Sequence, residues 1–270
     1  MIFSSFPEEP SRFIYLLKIF TMMLYEALNI DPTLPELVCF VGAGGKTTSM
    51  FNLAHEFKQL NKKVLVTTTT AILCPEKSDS DMTVVTKNPD QLTGTAKSGI
   101  TCIGSTHTAE NKLLGIDPEH INLLFRKNIF DLILVEGDGS KQKPIKAPAE
   151  HEPVIPSKTT KLVGVIGLDA LDCTIDDDHV HRPEQFCRIT GHTENELITY
   201  SSIAGLIISE EGLFIKTPHL CQRYVLLNKA DSAEIEQHAK NIIGEVKKTS
   251  SSVQTFIIST MLNNRIAVIS

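Results

Sequence analysis

The residues best suited to chemistry form one short glycine-rich run, Gly42-Ala43-Gly44-Gly45-Lys46-Thr47-Thr48. Phosphate is bound by consecutive backbone N–H groups that point into one hollow, with the positive end of a helix behind them. Gly45 would allow close approach, Lys46 would reach the β- and γ-phosphates, and Thr47 would offer its hydroxyl to Mg²⁺. Because Phe40 stands where the usual phosphate loop has its first glycine, a glycine-rich turn capped by Thr47 is the alternative.

Two acidic residues, Glu136 and Asp138, end a second apolar run. Mg²⁺ takes oxygen ligands, and a phosphate loop normally works with a carboxylate that holds the ion. Alternate residues of a strand point to the same side, so both carboxylates could face the loop. Together with Lys46 and Thr47 they predict the catalytic and metal-binding part of a site. The alternative is that they only end a strand before a turn.

A lysine- and proline-rich segment, residues 140–156, follows the acidic pair. Its prolines exclude a regular helix and favour an extended loop. Its charged side chains could bind an anionic substrate, and His151 could serve as a general base. Thr69 ends a threonine-rich strand, where ligands of parallel sheets gather. The predicted substrate residues are therefore Thr69, Lys143, Lys146, Glu150 and His151. For the individual lysines, a solvated charged loop is the simpler interpretation.

The tetrad Asn228-Lys229-Ala230-Asp231 matches the N-K-x-D pattern by which many GTPases read guanine. An Asp carboxylate can accept from both guanine N1–H and the exocyclic amine, which adenine does not offer in that arrangement. Lys229 could lie along the base, and Asn228 could hold the loops together. The tetrad favours GTP over ATP, although Asp231 with Glu234 could instead form a helix capping box.

Histidines 179 and 181 form a second polar cluster with Arg182 and Glu184. Two histidines at this spacing could bind a metal, but no third ligand stands at a suitable spacing, so an ordinary surface cluster is the better interpretation.

The chain's elements must bring these residues together. An apolar run enters the glycine-rich stretch and a helical pattern leaves it, so the stretch connects a strand to a helix. Further strands are predicted at 64–70, 82–85, 100–104, 130–140, 161–169, 223–231 and 252–259, and helices at 193–209 and 232–247. This alternation predicts a three-layer α/β/α fold of the P-loop NTPase type with a mostly parallel sheet. We expect an N-terminal extension with a helix at 1–32 and a single nucleotide-binding domain with insertions at 33–270.

Composition excludes several classes of protein. A formal net charge of −6 and the lack of a basic run argue against nucleic acid as a partner. The six cysteines are scattered without a C-x-x-C pair, which indicates a reducing compartment, the cytoplasm. The apolar stretch at 12–28 is interrupted by Lys18 and is too short to span a bilayer, so we expect no membrane contact. The stretch could form an amphipathic helix, or it could be an extension upstream of a natural start at Met22 or Met23.

Six segments of the chain occur in a characteristic order: GAGGKTT, VTTTT, VEGDGSKQKPIKAPAEHEPVIP, GLDAL, HRPE and LNKAD. In this order they resemble the YqeC-type family of selenium-dependent hydroxylase accessory proteins. The resemblance covers roughly residues 33–235. It implies a P-loop protein with nucleotide at Gly42, Gly44, Gly45, Lys46 and Thr47, and a substrate or cofactor face at residues 136–152. It also implies a molybdenum hydroxylase, or the proteins that mature its cofactor, as partners.

The expected function is therefore Mg²⁺-dependent binding and hydrolysis of a nucleotide, GTP before ATP, coupled to maturation of such a hydroxylase. No arginine finger is identifiable, so a partner or a homodimer would supply one. The short loop also resembles that of Mur-type peptide ligases, which leaves an ATP-dependent small-molecule kinase or carboxylate ligase as one alternative. A nucleotide-gated scaffold that does not hydrolyse is another.

Overall fold

The computed structural model describes residues 22–89, 97–249, 253, 255–260 and 265–269. Within these ranges, no helix is long and apolar enough to cross a membrane. The helices are α1 Leu24–Ala27, α2 Lys46–Gln59, α3 Pro118–Arg126, α4 Pro183–Thr190, α5 Tyr200–Ile208 and α6 Ala233–Thr249. The strands are β1 Glu36–Gly42, β2 Lys63–Thr68, β3 Ala71–Leu73, β4 Met82–Val85, β5 Gly99–Gly104, β6 Thr106–His107, β7 Lys112–Leu114, β8 Leu132–Glu136, β9 Ile145–Lys146, β10 Lys161–Gly167, β11 Val180–His181, β12 Gln222–Asn228, β13 Thr255–Thr260 and β14 Arg265–Ile269.

One nine-stranded sheet organises the fold, in the order β14-β13-β12-β10-β1-β8-β2-β5-β4. All its neighbouring strands run parallel except β13 and β14, which are antiparallel. Phe40 of β1 lies opposite Glu136 of β8. Parallel pairing therefore brings the carboxyl ends of β1, β8, β10 and β12 to one edge of the sheet, where an α/β fold binds its ligands.

Helices cover both faces of the sheet. Along β1, Val38 and Phe40 pack into a core shared with α1 and α2. Leu37, Cys39 and Val41 pack into a second core that includes residues of α3, α4, α5 and α6. A strand buried on both faces needs a continuous apolar run rather than an alternating one, and β1 has such a run. The predicted three-layer α/β/α fold with a mostly parallel sheet is confirmed.

Some elements differ from the sequence prediction. The helix predicted from residue 193 begins only at Tyr200, because Thr199 caps it and accepts a hydrogen bond from Ser202 N–H at 3.3 Å. The elements that were not predicted are helices α3 and α4, the antiparallel strand β14 and the short strands β3, β6, β7, β9 and β11. Helix α4 is short and polar, and it is anchored by the buried side chains of Pro183 and Phe186.

Near the start of the described chain, residues 22–30 pack against α2. Leu24, Leu28 and Ile30 are buried in the core below this helix. The N–H groups of Leu24 and Tyr25 donate to the Glu56 carboxylate at 2.7 and 2.9 Å. The division between residues 32 and 33 stays a prediction. Residues 12–21 of the predicted amphipathic helix lie outside the described residues, as do residues 252 and 254 of the strand predicted at 252–259.

Candidate functional site

The connection between β1 and α2 consists only of Ala43, Gly44 and Gly45. Gly44 and Gly45 have φ angles of +84° and +120°, which residues other than glycine rarely adopt. A Cβ on Gly44 would also lie 2.1 Å from the backbone nitrogen of Gly167. The glycines therefore let the chain turn sharply into a 14-residue helix, whose first N–H groups have no acceptor within the helix. Such a helix start can bind an anion.

The amides of this loop divide into two groups. Ala43 N–H donates to Val165 O at 2.9 Å, and Gly44 N–H donates to Lys143 O at 3.2 Å. Gly42 N–H donates to the Asp138 carboxylate at 3.1 Å. These three amides face the protein. An anion would therefore meet the amides from Gly45 to Thr48, where the surface of the loop is more open. This division fits a phosphate loop shortened at its start.

Lys46 is the first residue of α2, and its ammonium group is buried beneath the loop, with 3% of the residue exposed. Its Nζ donates to Gly42 O at 2.6 Å and lies 3.1 Å from Asp138 Oδ1 and 3.7 Å from Glu136 Oε1. Burial, the largest effect, lowers the pKa of Lys46, but Asp138 and Glu136 together raise this pKa above its usual value. The structure thus brings these three predicted residues together with the lysine charged.

Thr47 and Glu136 offer two oxygens suited to Mg²⁺. Thr47 Oγ1 donates to Glu136 Oε2 at 2.6 Å. The pKa of Glu136 is raised above its usual value, because burial outweighs the lowering effects of Lys46 and the Thr47 hydroxyl. Among the described residues, no three His, Cys, Asp or Glu side chains converge on one metal position. An ion here would therefore be held by the Thr47 hydroxyl, the Glu136 carboxylate, phosphate oxygens and water, a ligand set that Mg²⁺ accepts.

Asp138 has a different set of contacts from Glu136. Its Oδ2 accepts from Gly42 N–H and lies 2.9 Å from Lys146 Nζ. Its Oδ1 is buried and accepts no hydrogen bond in the described structure, although Lys46 Nζ lies 3.1 Å away. The charge of Lys46 therefore compensates the burial of this oxygen. Asp138 therefore holds the two lysines, Lys46 through Oδ1 and Lys146 through Oδ2.

Beyond Asp138, paired charges continue away from the loop. Lys146 Nζ lies 2.6 Å from Glu152 Oε2, and Arg182 Nη1 lies 2.8 Å from the same oxygen. Burial raises the pKa of Glu152, but the Arg182 and Lys146 partners lower it to about 2. We call Lys46, Asp138, Lys146, Glu152 and Arg182 the charge ladder. Glu152 ends the predicted substrate or cofactor face at 136–152 but was not among the selected substrate residues. The pairing of Arg182 with it was not predicted, although Arg182 belongs to the HRPE segment.

The other predicted substrate residues lie around this ladder. Lys143 Nζ donates to Asp178 O at 2.9 Å, while its carbonyl accepts from the loop. Thr69 Oγ1 donates to Val154 O at 2.8 Å. Glu150 and His151 are both exposed, and neither belongs to the buried charge ladder. The structure therefore brings Lys146 into the site, places Lys143 beside the loop through its backbone, and leaves His151 at the surface.

The histidine pair does not form a metal centre with other described residues. His179 Nδ1 lies 2.8 Å from Asp176 Oδ1. His181 lies opposite Lys146 in the pairing of β11 with β9. Burial, together with nearby Arg182 and Lys146, lowers the pKa of His181 to about 4, so its imidazole is neutral at physiological pH. Of this cluster, Arg182 therefore belongs to the ladder and His181 adjoins it, whereas His179 pairs with Asp176.

Asn228 joins the tetrad to the phosphate loop. Its side chain is buried, and Nδ2 donates to Gly44 O at 2.8 Å. Ser259 Oγ donates to Asn228 Oδ1 at 3.0 Å. The loop therefore cannot shift without disturbing the ends of β12 and β13.

Lys229 and Asp231 lie nearer the surface. Lys229 Nζ lies 2.5 Å from Asp169 Oδ2. Helix α6 is capped by Ser232, whose Oγ accepts from Ile235 N–H at 3.2 Å and whose carbonyl accepts from Glu236 N–H at 2.9 Å. Asp231 is exposed one residue before this cap, so its alternative role as the helix cap is wrong.

The site can be compared with known proteins. A family model described as YqeC protein matches residues 38–184, a range that contains the phosphate loop, the acidic pair and the whole charge ladder. A protein of Escherichia coli (strain K12) named uncharacterized protein YqeC is 34% identical over 202 residues, which cover 74% of this chain and 78% of that relative. The chain belongs to the YqeC family.

Proposed function

We propose that this chain binds a nucleoside triphosphate with Mg²⁺ and hydrolyses it, with a preference for GTP. The observation that carries the proposal is the position of Lys46 at the start of α2, with Nζ between Asp138 Oδ1 at 3.1 Å and Glu136 Oε1 at 3.7 Å. A buried, charged lysine beside free helix amides and two carboxylates is the arrangement that phosphoryl transfer requires.

Each group has a distinct task in this proposal. The amides at the start of α2 would bind phosphate oxygens, and Lys46 would turn from Gly42 O and Asp138 toward the γ-phosphate as negative charge develops there. Thr47 and Glu136 would hold Mg²⁺, which neutralises phosphate oxygens when it is bound. Once Lys46 has turned away, Asp138 Oδ1 could accept a hydrogen bond from the attacking water.

The preference for GTP rests on the tetrad. Asn228 ties the loop after β12 to Gly44 O, which would fix a base-reading loop relative to the phosphates. Asp231 is exposed and is not needed as a helix cap, so its carboxylate is free to accept from guanine N1–H and the exocyclic amine.

We further propose that turnover serves the maturation of a selenium-dependent molybdenum hydroxylase or of its cofactor. Support for this step is the family to which the chain belongs and not any contact in the site. A second candidate function, an ATP-dependent kinase or ligase for an anionic small molecule, draws support from the cationic members of the charge ladder, Lys146 and Arg182, near the loop.

The experiment that tests the proposal is calorimetric titration of Mg·GTP and Mg·ATP into the wild type, Lys46→Ala and Lys58→Ala. Lys58 lies on the same helix, but its ammonium is exposed and pairs with Asp81 at 2.5 Å. We expect wild type and Lys58→Ala to bind GTP more tightly than ATP, and Lys46→Ala to lose triphosphate binding. Equal binding by Lys46→Ala would overturn the phosphate-loop assignment.

Phosphate release measured on the same proteins separates hydrolysis from binding alone. Steady release of phosphate from GTP without any added acceptor is expected. Bound GTP that stays intact would identify a nucleotide-gated scaffold, whereas release that requires an added anionic acceptor would support the kinase or ligase.

A further inference from the structure

The members of the charge ladder alternate in sign, and each inner member contacts two neighbours of opposite charge. Asp138 is shared between Lys46 at 3.1 Å and Lys146 at 2.9 Å. Lys146 is shared between Asp138 and Glu152, the latter at 2.6 Å. Glu152 Oε2 is shared between Lys146 and Arg182 at 2.8 Å. Every contact in the ladder therefore competes with the next one.

The ladder connects a buried end to a half-exposed end. The side chains of Lys46, Asp138 and Lys146 are each at most 2% exposed, so water screens these charges weakly. Arg182 is 26% exposed by its side chain, and it lies immediately before α4. Its φ of +72° is rare for a residue with a side chain, and Ala147 O also accepts from its Nη1 at 3.1 Å. The guanidinium is therefore fixed on Glu152 by the fold.

We propose that Glu152 and Arg182 are positioning residues of the nucleotide site, which act through Lys146 and Asp138 to set how readily Lys46 leaves Asp138 for a triphosphate. This inference rests on the proposed function, since it assumes that Lys46 binds phosphate. Neither positioning residue needs to touch the nucleotide.

The alternation of charge fixes the direction of each effect. Without the charge of Glu152, Asp138 is the one carboxylate among the described residues that still pairs with Lys146, whose Nζ otherwise donates to Gly139 O. Asp138 then holds Lys46 less strongly, and triphosphate binds more tightly. Without Arg182, Glu152 pairs more strongly with Lys146, and Lys146 therefore pairs less strongly with Asp138. Asp138 then holds Lys46 more strongly, and triphosphate binds more weakly. Two partners of one ion pair should thus have opposite effects.

The test is calorimetric titration of Mg·GTP into full-length wild type, Glu152→Gln, Arg182→Met and the double variant. We expect Glu152→Gln to bind on the order of 5-fold more tightly and Arg182→Met on the order of 5-fold more weakly. Because Arg182 acts only through Glu152, the double variant should match Glu152→Gln. Arg188→Met and Glu211→Gln, which break an exposed pair at 2.5 Å near the same helix, should bind like the wild type.

Opposite changes in Mg·GTP affinity for the two single variants distinguish a positioning role from a merely structural one. In a structural role, both single variants would bind Mg·GTP more weakly because they are less stable. Thermal unfolding identifies variants that do not fold. If Glu152→Gln fails to fold, the double variant, which removes one charge of each sign, must still bind more tightly than the wild type. Shifts of the two variants in the same direction, or no shift in Arg182→Met, overturn the inference. Failure of the wild type to bind either triphosphate overturns the proposed function itself.

Discussion

The hydroxyl of Thr47 donates to Glu136 Oε2 at 2.6 Å, which joins the first turn of α2 to the end of β8. A hydroxyl from the helix start and a carboxylate from the neighbouring strand thus stand side by side in direct contact. In the proposed function they are the protein ligands of Mg²⁺.

Replacing Thr47 tests this metal assignment. Thr47→Val keeps the shape of the side chain but removes the oxygen, whereas Thr47→Ser keeps the oxygen. We expect Thr47→Val to reduce the gain in GTP affinity that Mg²⁺ provides by at least about tenfold, since even outer partners of metal ligands have effects of that size. Thr47→Ser should retain most of the gain. Titrations of GTP in the presence of Mg²⁺ and in the presence of a chelator measure this gain in affinity. If the gain in Thr47→Val equals that of the wild type, Thr47 is not a ligand of the metal.

Replacing Asp231 tests base recognition separately from the helix cap. Asp231→Asn should abolish the preference for GTP over ATP, because an amide cannot accept from both guanine donors, while the exposed position keeps stability within about 0.5 kcal/mol. The matched control is Ser232→Ala, which removes the cap of α6 and should lower the free energy of unfolding by about 1 kcal/mol without changing the preference. If both nucleotides bind Asp231→Asn as they bind the wild type, the guanine assignment fails.

Replacing Gly44 tests the tight packing of the loop. Gly44→Ala places a Cβ 2.1 Å from Gly167 N at a φ of +84°, so the loop must move away from β10. We expect a loss of at least about 2 kcal/mol in the free energy of unfolding together with loss of triphosphate binding. Gly244→Ala is the control, since it lies within α6 with open space around it and should gain about 0.5–1 kcal/mol. Urea unfolding measures the free energy of unfolding of both variants. A Gly44→Ala variant as stable as the wild type would contradict the close contact between Gly44 and Gly167.

The central strands could be predicted because their burial on both faces leaves a long apolar run in the sequence, as β1 and β8 show. The glycine-rich connection between β1 and α2 could be predicted for a related reason: its glycines, lysine and threonines are consecutive, so local order alone places Lys46 and Thr47 at the start of the helix. Glu136 and Asp138 followed from the rule that strand ends share one edge of a parallel sheet.

The rest of the ladder depends on how a loop folds back. Glu152 and His151 are neighbours in sequence, yet Glu152 is buried on Lys146 while His151 is exposed. Arg182 reaches Glu152 across 30 residues because β11 pairs with β9. No periodic pattern encodes the direction of a side chain in an irregular loop, so sequence analysis could not tell which of the charged residues at 150–152 is buried.

The pH dependence of stability tests the Glu152 contacts independently of nucleotide. The pKa of Glu152 is lowered from its usual value of 4.5 to about 2, so its contribution to stability is present above about pH 4.5 and is lost as pH falls toward 2. After allowance for screening at the partly exposed Arg182, we expect Glu152→Gln to be less stable than the wild type by roughly 2 kcal/mol at pH 7.

This difference should shrink steadily as the pH falls below about 4.5 toward 2, because Glu152 of the wild type then takes up its proton more readily in the unfolded state, whereas the glutamine of the variant does not titrate. Urea unfolding at a series of pH values measures the difference between the two proteins, which cancels the titration of all other carboxylates. Glu211→Gln, at an exposed ion pair, should differ little from the wild type at any pH. A difference for Glu152→Gln that stays constant between neutral and acidic pH would show that the mutation acts through shape or hydrogen bonding and not through the charge shared with Lys146 and Arg182.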